Sequence, residues 1–381
     1  MKNIFYLLSL LCLTALVSCN FKSQNNTQTN DANGNGDTTK IEVKYARGFS
    51  VIYGDGYKLV DIKDPEGKNE DVFRYALVAR GAQHTGIPEG YTIIETPVRS
   101  VICMTTLQLS NFIKLEAIDK VVGMPSTHYL FNKDVKERIA KGEISKIGIE
   151  GTFDTELILA LNPDVMLVSP FKRGGYESIK NLDIPMISFL GYKETTPLGQ
   201  AEWLKFTAML LGFEKLANEQ FAAIEQRYNE LKTLTESVAQ KPTVLSGELN
   251  SGNWYVVGGK SYLAQQFRDA GAEYFLKDND ETGGFTKDFE SVYAQGANAD
   301  FWRLLVSRDG EYSYDVLRKI DARYADFKAF KDKKIVFCNL REKPFYENTP
   351  VEPEVVLADL IKAFHPQLLP DYTPVYYELL K

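Results

Sequence analysis

The stretch FDTELILALNPDVMLVS, residues 153–169, decides how this chain folds. It reads as a helix over 155–161 followed by a strand over 164–169 whose interior is wholly apolar, the pattern of a strand buried on both faces. A second copy lies at residues 285–306, FTKDFESVYAQGANADFWRLLV. Both copies hold Thr-x-Asp-x-Glu (Thr152, Asp154, Glu156; Thr286, Asp288, Glu290), then a helix, then Asn-x-Asp (Asn162, Asp164; Asn298, Asp300), then a buried strand. The second copy is two residues longer between Glu and Asn. The shared order of elements points to two related lobes.

Around these copies the chain alternates strand and helix. VICM leads into TTLQLSNFIKLEAI, whose apolar residues recur at helical spacing behind Thr105 or Thr106 as N-cap, and DKVVGM and PMISFL read as further strands. From Gln200 to about Ala239 the text is helical, interrupted near Leu211-Gly212-Phe213, with Phe221, Ile224, Tyr228 and Leu231 as one buried stripe. The βα rhythm then restarts with TVLSGEL, WYVVGG, a helix over 261–270, DFWRLLVS and KIVFCNL. This predicts an α/β protein of two Rossmann-like βα lobes, residues 98–199 and 241–381, joined by a long backbone helix over 200–240, with a ligand cleft between them. Residues 41–97 form a small N-terminal β extension, in which Gly54-Asp55-Gly56 turns a hairpin.

The start is a signal: Met1-Lys2-Asn3, an apolar run from Ile4 to Val17, then Leu16-Val17-Ser18-Cys19. The ending resembles a bacterial lipobox, which implies loss of residues 1–18, lipid on Cys19 and an anchor in the cell envelope. Residues 19–40, rich in Asn, Thr and Gly, then make a flexible tether. Once Cys12 leaves with the signal, Cys103 and Cys338 are expected as buried, unpaired thiols. Three histidines and no Cys-x-x-Cys argue against structural zinc. With 51 acidic against 44 basic residues, nucleic acid is excluded as a partner. Gly259-Lys260-Ser261 is not a phosphate-binding loop, because the glycine required five residues before Gly259 is Trp254. An exported α/β enzyme is the alternative, but the sequence has no Gly-x-Ser-x-Gly elbow and no cysteine cluster for an iron–sulfur centre.

On the landmarks VRSVICMTTLQLSNFIKLEAIDKVVGM (98–124), FDTELILALNPDVMLVS (153–169), GGKSYLAQQFRDAGAEY (258–274), AFKDKKIVFC (329–338) and AFHPQLLP (363–370), the chain resembles the periplasmic-binding-protein family that delivers iron-siderophores, haem and corrinoids to bacterial ABC importers. The resemblance covers roughly Val98 to Pro370; the β extension departs from it, as do MTT at 104–106 and the second-lobe Asn-Ala-Asp. It implies a non-catalytic, monomeric carrier with no cofactor of its own, whose cargo contains iron or cobalt. Its partners are an ABC permease with its ATPase, docked through Glu156 and Glu290, and the membrane through the lipid.

Ligands of open α/β sheets bind at the carboxyl ends of strands. That rule nominates Met104, Thr105, His128, Tyr129, Phe171, Lys172, Arg173 and Tyr192 in the first lobe. In the second it nominates Glu248, Trp254, Tyr255, Phe285, Arg308, Arg341 and Tyr346. Haem would use Tyr129 or His128 as axial ligand, a ferric siderophore Arg173, Arg308 or Arg341, and a corrinoid aromatic walls. The joining helix predicts a small closure rather than a wide hinge swing.

Overall fold

The computed structural model describes residues 40–126, 130–149, 151–170 and 175–381. Cys19, His128, Tyr129, Phe171, Lys172 and Arg173 lie outside the described residues. The extension is a four-stranded sheet in the order Phe49–Tyr53, Tyr57–Lys63, Val72–Ala79, Thr92–Thr96, antiparallel except for the last, parallel pair. Its hairpin turns on Gly54-Asp55-Gly56 with Tyr53 opposite Lys58, and Gly56 takes the left-handed φ of 79° that the turn requires. Two buried carboxylates fasten the chain leading into this sheet. Glu202 accepts the backbone amides of Lys44, Tyr45 and Ala46, and Glu194 those of Arg47 and Gly48. The Tyr75 hydroxyl adds a tie to the first lobe, accepting the Ser188 amide at 2.9 Å and donating to the Met186 carbonyl at 3.1 Å.

The first lobe is a five-stranded parallel sheet in the spatial order Met186–Ser188, Val165–Val168, Val101–Cys103, Val121–Met124, Ser145–Lys146. Alternate residues of each central strand enter different cores. Val101, Cys103, Val165 and Leu167 pack with the apolar face of helix Thr106–Lys114, whereas Ile102, Met104, Met166 and Val168 pack with Ile158 and Ile179 on the other side. Burial on both faces is why these strands carry no polar alternation. Thr105 caps the helix and forms a reciprocal capping box with Gln108.

The expected joining helix is present. Helix Trp203–Leu211 is buried in the first lobe's core, and Gly212, left-handed at φ 75°, breaks it. Helix Glu214–Glu236 follows, and its Phe221, Ile224, Tyr228 and Leu231 enter the second lobe's core. Two successive helices, broken at Gly212, therefore bridge the two hydrophobic cores.

The second lobe's sheet runs Glu273–Tyr274, Thr243–Ser246, Phe301–Val306, Ile335–Asn339, Glu378–Leu379, all parallel except the last pair. One expectation is corrected here. The strand Asn253–Val257 does not join this sheet; it pairs antiparallel with Leu249–Asn250 and Gly284–Lys287 in a separate three-stranded ribbon. Only residues 247–252 separate it from the preceding strand, and a parallel crossover needs roughly a dozen or more. The glycines of WYVVGGKS serve close packing. A Cβ on Gly258 would overlap the carbonyl oxygen of Glu281, and one on Gly259 that of Leu276, while Ser261 caps helix Tyr262–Asp269.

The internal echo is structural as well. Asp154 and Asp288 each cap a helix, Thr155–Leu161 and Phe289–Gly296, and Glu156 and Glu290 occupy the same first-turn position. Asp164 accepts the amide of Arg99 at 2.6 Å, and Asp300 that of Thr243 at 2.9 Å, so each pins the start of its lobe's first strand. Burial works against ionisation of both carboxylates. The Arg99 amide and guanidinium, with Arg80, still hold Asp164 below its usual range, and Lys328 with Thr243 does the same for Asp300. Cys103 and Cys338 are both buried and free.

Candidate ligand cleft

Each sheet reverses its order of strands beside its first strand, and a crevice opens there. In the first lobe a cavity of about 480 Å³ sits beyond the ends of strands 101–103 and 165–168, walled by Met104, Thr105, Leu107, Met124, Ile149 and Ser169, with Lys146 at its edge. This wall is mostly apolar and rich in methionine, which adapts to irregular shapes. In the second lobe a cavity of about 600 Å³ sits beyond strands 243–246 and 301–306, walled by Glu248, Asn250, Tyr255, Arg303, Ser307 and Arg308. A middle cavity of about 510 Å³ lies between the lobes and takes Tyr192, Lys193, Glu194, Tyr255 and Tyr262 as walls. Tyr346, 40% exposed, lines all three. Together they form a cleft that is apolar at one end, lined by tyrosines with Glu66, Lys193 and Glu194 in the middle, and charged at the other end.

The charged end is braced from behind. The Asn339 side chain, at the end of its strand, donates to the Arg308 carbonyl at 2.9 Å and accepts the Arg308 amide at 3.3 Å, fixing the backbone that carries this exposed guanidinium. Arg303 donates through Nε to the Tyr377 hydroxyl at 2.8 Å. Burial pushes the Glu248 carboxyl above its usual range, opposed by the positive charge of Arg308.

The lobes also touch directly beside the cleft. Glu347, on the short helix Phe345–Asn348 that carries Tyr346, is buried and accepts the amides of Phe131 at 2.6 Å and Asn132 at 3.2 Å across the lobe boundary. Burial raises its carboxyl above the usual range, and these two amides oppose the rise.

The nominated residues divide accordingly. Met104, Thr105, Tyr192, Glu248, Tyr255, Arg308 and Tyr346 line the cleft. Trp254 does not. It is 0% exposed among Phe289, Trp302, Tyr324 and Phe327, with its indole N–H bonded to the Ser246 carbonyl at 3.1 Å. Strand alternation is the reason: Trp254 points inward, and its neighbour Tyr255, 52% exposed, points into the cleft. Phe285 is partly buried against the second lobe's core. Arg341 is exposed, 3.7 Å from Asp309, and lines none of the three cavities. Sequence reasoning missed Ser169, which the strand-end rule could have supplied, and Arg303, which sits within a strand and carried no such signal. Among the described residues no cluster of three or more His, Cys, Asp or Glu could hold a metal ion.

Two βα lobes, a shared helix and a cleft at both switch points define a two-lobed solute-binding protein. The sequence pattern of the periplasmic binding proteins matches residues 101–340, and this chain belongs to that family. A lipoprotein of uncharacterized function from Methanocaldococcus jannaschii is 25% identical over an alignment spanning 91% of this chain and 87% of that protein. A periplasmic binding protein from Veillonella parvula superposes with a TM-score of 0.59 at 13% identity, covering 84% of this chain and 98% of that one. An ABC-type Fe3+-hydroxamate transport protein from Saccharomonospora viridis gives 0.57 at 18%, covering 71% and 95%. The protein is thus a periplasmic binding protein, one of a family of substrate-binding proteins and not of enzymes. Its place is the cell envelope outside the cytoplasm. No helix among the described residues is long and apolar enough to cross a membrane.

Proposed function

We propose that the protein captures a metal chelate, a ferric siderophore or a corrinoid, in this cleft and passes it to the permease while lipid on Cys19 holds it at the membrane. The observation that carries this reading is the set of three adjoining cavities sharing Tyr346, each of a size suited to part of a large ligand. An apolar wall at Met104 and Met124, tyrosine faces in the middle and Arg303 with Arg308 at the far end suit a broad ligand with an apolar or aromatic body and anionic groups. The test is thermal unfolding of the purified protein against ferric siderophores, haemin and cyanocobalamin. One class should give saturable stabilisation, about 2.7 kcal/mol at a hundredfold excess over Kd. Arg308→Ala should weaken that class by roughly tenfold or more through loss of a charge-assisted contact. Silence across the panel would sink the chelate reading.

Docking on the permease falls to Glu156 and Glu290. Both are exposed at equivalent positions, Glu290 80% so despite Arg323 at 4.0 Å. Three residues further along each helix stands an exposed apolar side chain, Leu159 in one lobe and Tyr293 in the other. The double variant Glu156→Lys with Glu290→Lys should keep ligand affinity and fold, losing on the order of 1 kcal/mol from unfavourable helix-dipole contacts. Ligand uptake through the reconstituted importer should fall about tenfold or more, because like charges would face each other on docking. Unchanged uptake would remove both residues from the interface.

A further inference from the structure

The β extension lies outside the part of the chain that matches the family, yet its loop over 64–71 reaches both lobes. On the first-lobe side the Lys193 ammonium sits 2.7 Å from Asp64 and 3.2 Å from Glu66. Lys193 belongs to the turn Gly191–Lys193, next to the cleft residue Tyr192. On the second-lobe side the Thr282 hydroxyl donates to Glu66 at 2.7 Å, and Lys68 pairs with Glu281 at 3.2 Å. The segment 281–283 is in turn bonded to the Gly-Gly turn after the strand of Tyr255, Gly258 donating to the Gly283 carbonyl at 2.9 Å and Lys260 to that of Glu281 at 3.0 Å. Glu66 and Thr282 themselves form part of the middle cavity's wall.

We infer that the 64–71 loop is a strap between the lobes and the third wall of the cleft, with Glu66 as the positioning residue that joins Lys193 to Thr282. The remainder of the extension is fastened to the first lobe and the joining helices through Glu194, Glu202 and Tyr75. It therefore moves with that side, and the Glu66–Thr282 bond opposes separation of the second lobe. The carboxylate also gives the middle cavity an acceptor for hydroxyl, amide or ammonium donors on the cargo and disfavours an anionic group at that wall. The strap itself stands on the protein contacts alone; only this selectivity rests on the cleft being the cargo site.

Hydrogen exchange on the ligand-free full chain separates the two. The amides of Phe131 and Asn132 are bonded across the lobe boundary to Glu347, so their exchange reports lobe opening rather than local fraying of the strap. Thr282→Val, which keeps the side chain's shape, and Glu66→Ala should each speed their exchange by about tenfold, with Glu66→Gln, which retains an acceptor for Thr282, closer to the parent. Faster exchange confined to residues near 279–284, with Phe131 and Asn132 unchanged, would overturn the strap. Because no ligand is present, that outcome says nothing of the chelate reading, and failure of the chelate panel leaves this result standing.

Discussion

Glu202→Ala should lower the stability of the protein by about 3–5 kcal/mol, measured by urea unfolding, because it leaves a buried lysine without its counter-ion. Glu202 is fully buried between helix Pro197–Ala201 and helix Trp203–Leu211. Its oxygens accept the amides of Lys44 at 3.0 Å, Tyr45 at 2.6 Å and Ala46 at 2.8 Å, and the Lys205 ammonium at 2.8 Å. Lys205 is itself buried, bonded to the Glu42 carbonyl at 2.7 Å and lying 4.4 Å from the centre of the Phe221 ring. Alanine would orphan three amides and a charge at once, and an unsatisfied buried donor costs roughly 1–3 kcal/mol by itself. Glu202→Gln keeps a carbonyl acceptor and should lose less. A loss below about 1 kcal/mol for the alanine variant would mean that water enters and satisfies these groups, so the clamp would not be what seats the extension.

Such clamps mark the boundary of what the sequence discloses. The parallel strands, the cap Thr105 and the break at Gly212 were legible because each depends on neighbours within a few residues. The strand-end rule likewise found Met104 and Arg308, since it needs only the place where each strand stops. Glu202 lies 156–158 residues from the amides it accepts, Glu194 lies 146–147 away and Glu347 215–216 away, so in the text each resembles an ordinary surface charge. Asp359 is of the same kind, buried and holding the amides of Val375, Tyr376 and Tyr377 at the C-terminal end. Trp254 was misread for a different reason: the strand-end rule took it together with Tyr255, but alternation on their strand turns Trp254 inward and leaves the cleft wall to Tyr255. The strands Ser145–Lys146 and Gly148–Ile149 are too short to show a period, which hid Lys146 and Ile149 from the first lobe's wall.

Glu354 provides the second large effect, and its sign is opposite. It stands in the first turn of helix Pro353–Phe364, where the helix dipole favours a carboxylate, yet burial pushes its carboxyl up from 4.5 to about 7. Its own amide, Lys114 and Arg227 oppose that rise and Glu352 adds to it; Oε2 is buried without a hydrogen bond. A carboxyl whose folded pKa exceeds its unfolded one favours the fold fully below the unfolded value, and this contribution is lost as pH rises through the folded one. The window is therefore pH 4.5 to about 7. Across it the parent should lose on the order of 2 kcal/mol of stability, reduced from the full linkage value because the group keeps some contact with water. Glu354→Gln removes the ionisation while keeping the shape, so it should be more stable than the parent by about that amount at pH 8, with the advantage gone at pH 4. Urea unfolding of both proteins at the two pH values measures the difference. An equal difference at both would assign the gain to packing or propensity and not to the buried charge. A result as expected would mean that an envelope protein, exposed to the pH of its surroundings, keeps at this position a carboxyl that costs stability in neutral and alkaline media, beside a helix shared with the second lobe's core.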